Sequence, residues 1–243
     1  MENGLYIGLS RQMALQKKMD LVANNIANVN TPGYRADKML FEEYVYKTNT
    51  ENQEKISMVL DYGQFKDTAT GPMTHTGNPL DVALDGPGYM MVETPEGTKY
   101  TRAGNFTINN EGILVTPAGN AVLNNGEGQI TIPEGAKEIV ITGTGEIVTD
   151  QGAVGQIGIV EFGNAQVLKS TGDGYYRVEG GEVSAPAQRT VMKQHMLEGS
   201  NVKAVLEMTD LIEISRQYQS NQRALQNEHE LQRSTIQKLS EVN

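Results

Sequence analysis

Residues capable of acid–base or metal chemistry are plentiful in this chain but poorly grouped. Carboxylates pair at Glu42 with Glu43 and at Asp81 with Asp85, and two acids facing across a cleft are the equipment of glycoside hydrolysis. No spacing here sets them across a cleft, and no other catalytic element accompanies them; surface acids ordinarily form a solvated face. His75, His195 and His229 lack metal-ligand spacing, and a chain without cysteine has no thiolate metal site and no disulfide. Gly86-Pro87-Gly88 and Gly143-Thr144-Gly145 lack the further glycine and helix of a dinucleotide loop. Tyr89, Tyr100, Arg102 and Phe106 read as ordinary strand packing with a stacked guanidinium rather than as a ligand site. The expectation is a non-enzyme with no catalytic residue, no cofactor and no metal.

The elements that would position any site come next. The 243 residues allow one large or two modest domains, and an apolar fraction of 38% weakens the case for a single large core. A net charge of −10 makes nucleic acid and anionic lipid poor partners. No run approaches the roughly 18–20 apolar residues of a membrane span. Met1-Glu2-Asn3-Gly4 lacks a basic n-region, so composition predicts a cytoplasmic protein or one exported without a cleaved signal.

Both ends have helical periodicity. A first helix is expected from Leu5 to Asn28, with Leu5, Leu9 and Met13 stepping by four and Leu15, Met19, Val22 and Ile26 forming a heptad-like stripe. Asn30-Thr31-Pro32-Gly33 stops it. Residues 38–47 are expected as a short helix with Met39, Leu40, Tyr44 and Val45 inside, 48–55 as a polar loop, 56–62 as a strand and 67–79 as irregular. From Gly86 the pattern changes to short strands separated by turn residues, which argues for an antiparallel sandwich or open barrel. The segment Gln156–Phe162 has apolar residues on both faces and is expected to lie centrally. A last helix begins near Asn201, capped by Ser200 or Asn201. Val202, Val205, Met208 and Ile212 mark one seam. The other runs Leu211, Ser215, Tyr218, Gln222, Leu225, His229, Gln232, Ile236, Leu239, with four of its nine positions polar.

The resulting fold class is α+β. Long N- and C-terminal helices form a coiled-coil-like assembly domain with an inserted, mostly antiparallel β domain. The expected boundaries are 1–35 for the N-terminal helix, 36–85 for an irregular connection, 86–199 for the β-rich domain and 200–243 for a C-terminal helix pairing with the first.

Isolated helices are marginal in water, and ordering a residue costs about 1–2 kcal/mol of backbone entropy. The long seam offers about one good apolar side chain per turn, each contributing about 1.5–3 kcal/mol when fully buried. The helices therefore need additional partners, and the expected assembly interface is Leu5, Leu9, Met13, Met19, Val22, Asn24, Asn25, Ile26, Asn28, Leu211, Tyr218, Asn221, Leu225, Ile236 and Leu239. Asn24 and Asn28 share a helix face, where amides on neighbouring helices would set axial register.

Three blocks carry a family likeness. The run ANNIANVNTPGYR, Ala23 to Arg35, closes the first helix. A central block from Asn78 to Leu123 contains Tyr100-Thr101-Arg102-Ala103-Gly104-Asn105-Phe106. Near the end, Gly199-Ser200-Asn201-Val202 precedes Glu207-Met208-Thr209-Asp210-Leu211-Ile212, followed by Arg216-Gln217-Tyr218 to Asn221. Together they resemble the rod and hook family of bacterial flagellar axial proteins. The resemblance implies a structural subunit of the basal-body rod, in its proximal part with the distal part as the alternative. It further implies polymerisation into a helical tube that transmits motor torque, partners that are copies of itself and other rod proteins, export by the flagellar type III apparatus, and a periplasmic location. The rival reading is a β-domain ligand-binding protein on a helical stalk, which requires a closed oligomer and a concave apolar pocket within 86–190. If the ends depend on neighbours, amide exchange across residues 205–240 is fast in a dilute monomer and slows on assembly. Strong protection at high dilution would contradict this.

Overall fold

The two periodic ends and the glycine-punctuated middle fold as an α+β protein. The computed structural model describes residues 2–47, 55–172, 174–179 and 184–241. Two compact units are present: Met1–Ala27, Asp37–Phe65 and Lys203–Asn243 in one, Asn28–Ala36 and Lys66–Val202 in the other.

The first unit contains helix α1 (Glu2–Ala27), strands β1 (Asp37–Lys47) and β2 (Lys55–Lys66), and helix α2 (Ala204–Glu241). Strand β1 corrects the helix expected over 38–47. Phe41, Tyr44, Val45 and Tyr46 suit a pleated surface better than a helix, and β2 supplies the ladder partner in a two-stranded sheet. A ten-residue helix would have had only its own marginal stability. The expected loop 48–55 lies outside the described residues except for Lys55, and the strand expected over 56–62 runs longer, through Lys66. The expected caps of α2 do other work. The helix starts at Ala204, while the Asn201 amide donates to the Asp67 and Ala69 carbonyls at 2.9 and 3.0 Å and accepts from Ala36 N–H at 2.7 Å. Val202 precedes the helix and packs on Tyr34 and Ala36.

The second unit is antiparallel throughout its described ladders. Its strands are β3 (Met73–His75), β4 (Val82–Asp85), β5 (Tyr89–Thr94), β6 (Gly97–Thr101), β7 (Thr107–Ile108), β8 (Leu114–Val115), β9 (Ile139–Ile141), β10 (Glu146–Thr149), β11 (Gly152–Gln156), β12 (Ile159–Glu161), β13 (Leu168–Gly172), β14 (Tyr175–Val178), β15 (Ala185–Pro186), β16 (Val191–Gln194) and β17 (Met196–Glu198). Six form one sheet in the order β13-β14-β6-β5-β12-β15; β11-β10-β9 form another; β16 pairs β4, β17 pairs β3 and β7 pairs β8. Residues 121–123 and 129–131 contribute single bridges instead of ladders, on either side of the Asn124–Gly128 turn.

Strand β5 is covered on both faces. Met90 and Val92 enter a large core with Val82, Leu84, Phe106, Leu114, Ile147 and Ile157. Tyr89 and Met91 enter a smaller one with Phe162, Leu168 and Tyr176, where Tyr89 meets Phe162 and Tyr176 edge-on at centroid distances of 5.9 and 5.6 Å. The segment expected as one central strand over 156–162 breaks after Gln156 and resumes as β12. It divides its apolar residues between the two cores, with Ile157 and Ile159 in one and Val160 and Phe162 in the other.

Glu161 of β12 fixes the turn that follows β15. Its carboxylate accepts from Arg189 N–H at 2.9 Å, the Thr190 hydroxyl at 2.8 Å and the Arg189 guanidinium at 3.4 Å. Burial alone would raise its pKa; these hydrogen bonds outweigh burial and hold it below the ordinary carboxylate value. A depressed folded-state pKa contributes stability above the unfolded value of about 4.3, lost as pH falls through the folded value. Glu161→Gln is therefore expected to cost roughly 1–2 kcal/mol at neutral pH. The difference from the natural chain should vanish in strongly acidic solution, as read by denaturation across a pH series.

Candidate assembly interface

Within the first unit the two helices pack antiparallel. Asn25 Nδ2 donates to Glu207 Oε2 at 3.4 Å, Gln12 Nε2 to the Tyr218 hydroxyl at 3.0 Å, and Asn221 Nδ2 to the Gly8 carbonyl at 2.8 Å. Leu15, Val22 and Ile214 are buried between them, flanked by Met19, Ile26, Leu211 and Tyr218. Gly8 permits the closest approach: a Cβ there would stand 2.4 Å from Leu225 Cδ2. Asn25 is also buried, and its amide pairs with the Asp37 backbone in both directions, donating to the carbonyl at 3.0 Å and accepting from the N–H at 3.1 Å. It ties the start of β1 to α1 within one chain.

The expected interface residues thus fall into groups. Met19, Val22, Ile26, Leu211 and Tyr218 meet in the helix–helix core, with Asn221 and Leu225 at Gly8. Leu9 and Met13 are exposed, as is Tyr6 beside them. Asn24 is exposed at the edge of a polar cleft of about 250 Å³ lined also by Lys17, Asp20 and Asp37. Asn28 lies past the helix, in the second unit, where its side-chain oxygen accepts from the Thr31 hydroxyl at 3.1 Å. Leu5, Ile236 and Leu239 lie on the helices by backbone, but their side chains fall outside the described set. Sequence reading omitted Ile214, the most buried apolar side chain of the pair. Its signal was the 211-214-218 spacing, which the longer 211-215-218 seam obscured. Val205, Met208 and Ile212 stand exposed on α2.

A second constellation, in the second unit, joins residues of the first two sequence blocks to Glu198, which immediately precedes the third. The buried carboxylate of Glu198 receives Arg35 Nη2 at 2.8 Å and Gly71 N–H at 3.0 Å on one oxygen. On the other it receives Arg102 Nε at 2.9 Å and Nη2 at 2.8 Å. Arg102 also donates to the carbonyls of Leu84, Gly86 and Gly88 at 2.9, 2.9 and 2.5 Å, and Arg35 donates to the Ala69 carbonyl. Gly33, at φ +68°, donates its N–H to the Glu198 carbonyl at 2.8 Å and presses so near the Arg102 backbone that a Cβ would sit 2.5 Å from it. Burial, then the neighbouring Arg102 charge, lower the Arg35 pKa against the pull of Glu198. Burial raises that of Tyr89, over whose ring the Arg102 guanidinium stands at 5.6 Å. Phe106 and Tyr100 pack on different cores.

Of the remaining candidates, Asp81, Asp85 and His75 have partners in the structure, and the side chains of Glu42 and Glu43 lie outside the described residues. Asp81 accepts from Asn78 Nδ2 at 2.9 Å, and Asp85 pairs with Lys193 at 2.7 Å. His75 stacks on His195 at 6.2 Å. Among the described residues no group of three or more His, Cys, Asp or Glu side chains is arranged to hold a metal ion, and no helix is long and apolar enough to cross a membrane. The β unit has a cleft of about 490 Å³ lined by amides and hydroxyls as well as aliphatic side chains. Its polar groups are largely engaged with one another: Asn125 with Gln156 at 3.0 Å, Gln156 with the Thr144 carbonyl at 2.8 Å, and Thr142 with Thr144 at 2.9 Å.

Comparison with known proteins decides the family. Residues 5–35 match the family described as flagella basal body rod protein, residues 83–149 the flagellar hook protein FlgE/F/G D1 domain, and residues 193–238 the flagellar basal body rod FlgEFG protein C-terminal. A flagellar basal-body rod protein FlgF of Caulobacter vibrioides is 41% identical over the full length of both chains. The chain belongs to the flagellar basal-body rod protein family. FlgG of Bacillus subtilis is 37% identical, covering 95% of this chain and 97% of its own, and FlgF of Rhizobium meliloti 36%, covering 90% of each. Members are structural subunits of the rod, and the role fits a molecule whose buried charges serve packing. Arg35, Arg102 and Glu198 fall one in each of the three matched regions.

Removing one member of a buried ion network leaves the others uncompensated. Glu198→Gln is expected to destabilise the chain by about 3–5 kcal/mol, read by chemical denaturation. A loss under about 1 kcal/mol, the value of an exposed pair, would show that the two arginines do not depend on it.

Proposed function

We propose that this rod-family chain polymerises, with itself and with other rod proteins, through its paired terminal helices. The product is the helical tube of the proximal rod in the periplasm, and the subunits reach it through the flagellar type III export apparatus. One observation carries the reading: among the described residues, each helix keeps an exposed apolar stripe besides the apolar residues it buries within the chain. Leu15, Val22 and Ile214 are buried, whereas Leu9, Met13, Val205, Met208 and Ile212 are exposed. A helix hydrophobic on two sides is built for two partners. Unlike surfaces meeting head to tail generate an open helical polymer when the rotation does not close. Torque is then shared among many parallel helix contacts, none of which need be strong, and the coiled-coil-like character lies between subunits as much as within one.

The proximal position rests on the comparison within one organism, where FlgF of Caulobacter vibrioides is 41% identical and its FlgG 31%. The distal position remains the second reading, since FlgG of Bacillus subtilis reaches 37%.

Deletion of residues 2–27 removes α1 while keeping Asn28–Ala36, which belong to the other unit. The shortened chain is expected to stay out of isolated basal bodies in which the full chain is found, while keeping the β-sheet circular dichroism of its second unit. Incorporation at the natural level without α1 would sink the proposal.

A further inference from the structure

Both helices have one pattern at a constant offset in sequence. Leu15, Met19 and Ile26 on α1 correspond to Ile214, Tyr218 and Leu225 on α2, all turned inward. Tyr6, Leu9 and Met13 correspond to Val205, Met208 and Ile212, all turned out, with exposures of 60%, 47% and 56% against 76%, 50% and 56%. Each outward line then becomes polar: Lys17, Asp20 and Asn24 on α1, Arg216, Gln219 and Arg223 on α2, all exposed.

The helices run antiparallel, with Gly8 beside Asn221 and Asn25 close to Glu207, so the two outward apolar stripes lie at opposite ends of the pair. Two copies side by side at the same height would set Leu9 against the Gln219–Arg223 stretch. In a contact between α1 of one copy and α2 of the other, apolar meets apolar only when one copy is displaced along the helix axis by roughly thirteen residues, about 20 Å at 1.5 Å per residue. We infer that Tyr6, Leu9 and Met13 of one copy seat on Val205, Met208 and Ile212 of a second copy so displaced. The contact repeats between chains the antiparallel packing found within one. It joins unlike stripes with an axial displacement, so it propagates instead of closing. The inference rests on the polymerisation reading above and names the surfaces that carry it.

The chain contains no cysteine, so introduced thiols report on one contact. Cells make, in place of the natural chain, Leu9→Cys with Met208→Cys, or Leu9→Cys with Gln219→Cys, and isolated basal bodies are oxidised. All three positions are exposed, and circular dichroism of the purified variants checks that both fold. The 9–208 pair is expected to yield disulfide-linked dimers and higher multimers, and the 9–219 pair only monomers. Linkage through 9–219 instead overturns the displacement. Basal bodies that contain both variants but link neither overturn the stripe contact while leaving polymerisation standing. Absence of even the natural chain from basal bodies overturns both.

Discussion

The Glu198 carboxylate is the constraint around which the β unit is organised. It receives four N–H donors, from Arg35, Arg102 and Gly71, which fills the acceptor capacity of a carboxylate. An ion taken out of water is costly unless its hydrogen bonds are complete, and completeness here requires three distant parts of the chain to arrive together. Arg102 extends the demand: its remaining donors hold the Leu84, Gly86 and Gly88 carbonyls, so the β4–β5 connection is wrapped around a guanidinium. Replacing the three charges with hydrocarbon would leave those carbonyls buried and unpaired, which is why the usual gain from such a swap does not apply.

The helix pair follows the opposite principle. Its inner seam is short and aliphatic, tightened by Gly8 and closed by hydrogen bonds donated by the side-chain amides of Gln12, Asn25 and Asn221. Its outer faces keep apolar residues that a terminal product would have buried or replaced. A subunit of a polymer must be stable enough to be recognisable and incomplete enough to add to its neighbours. In the polymer proposed above, the antiparallel pair meets both conditions by putting the exposed stripes at opposite ends.

Certain elements were legible because their signal is local. The terminal helices, the stop at Asn30-Thr31-Pro32-Gly33 and most of the strands between Tyr89 and Val178 follow from periodicity and turn residues. Strand β1 was not legible, since Lys38–Lys47 satisfies a helical and a pleated pattern alike and its ladder partner β2 decides. Asn201 was misplaced for a related reason. It is a good helix cap by type, but its amide is worth more where it pairs Ala36 with Asp67 and Ala69, a juxtaposition the sequence does not display. The strands Val191–Gln194 and Met196–Glu198 escaped notice because each pairs with a segment more than a hundred residues earlier.

By itself the sequence determined the class of protein: two helical ends, a β-rich middle and three blocks typical of flagellar axial subunits. Tertiary structure alone decided which apolar residues of each helix are spent inside the chain, and that Arg35, Arg102 and Glu198 form one buried network. The reason is physical. Periodicity is written in neighbours a few residues apart, whereas the pairing of charges and the choice between two apolar helix faces depend on what the folded chain brings alongside.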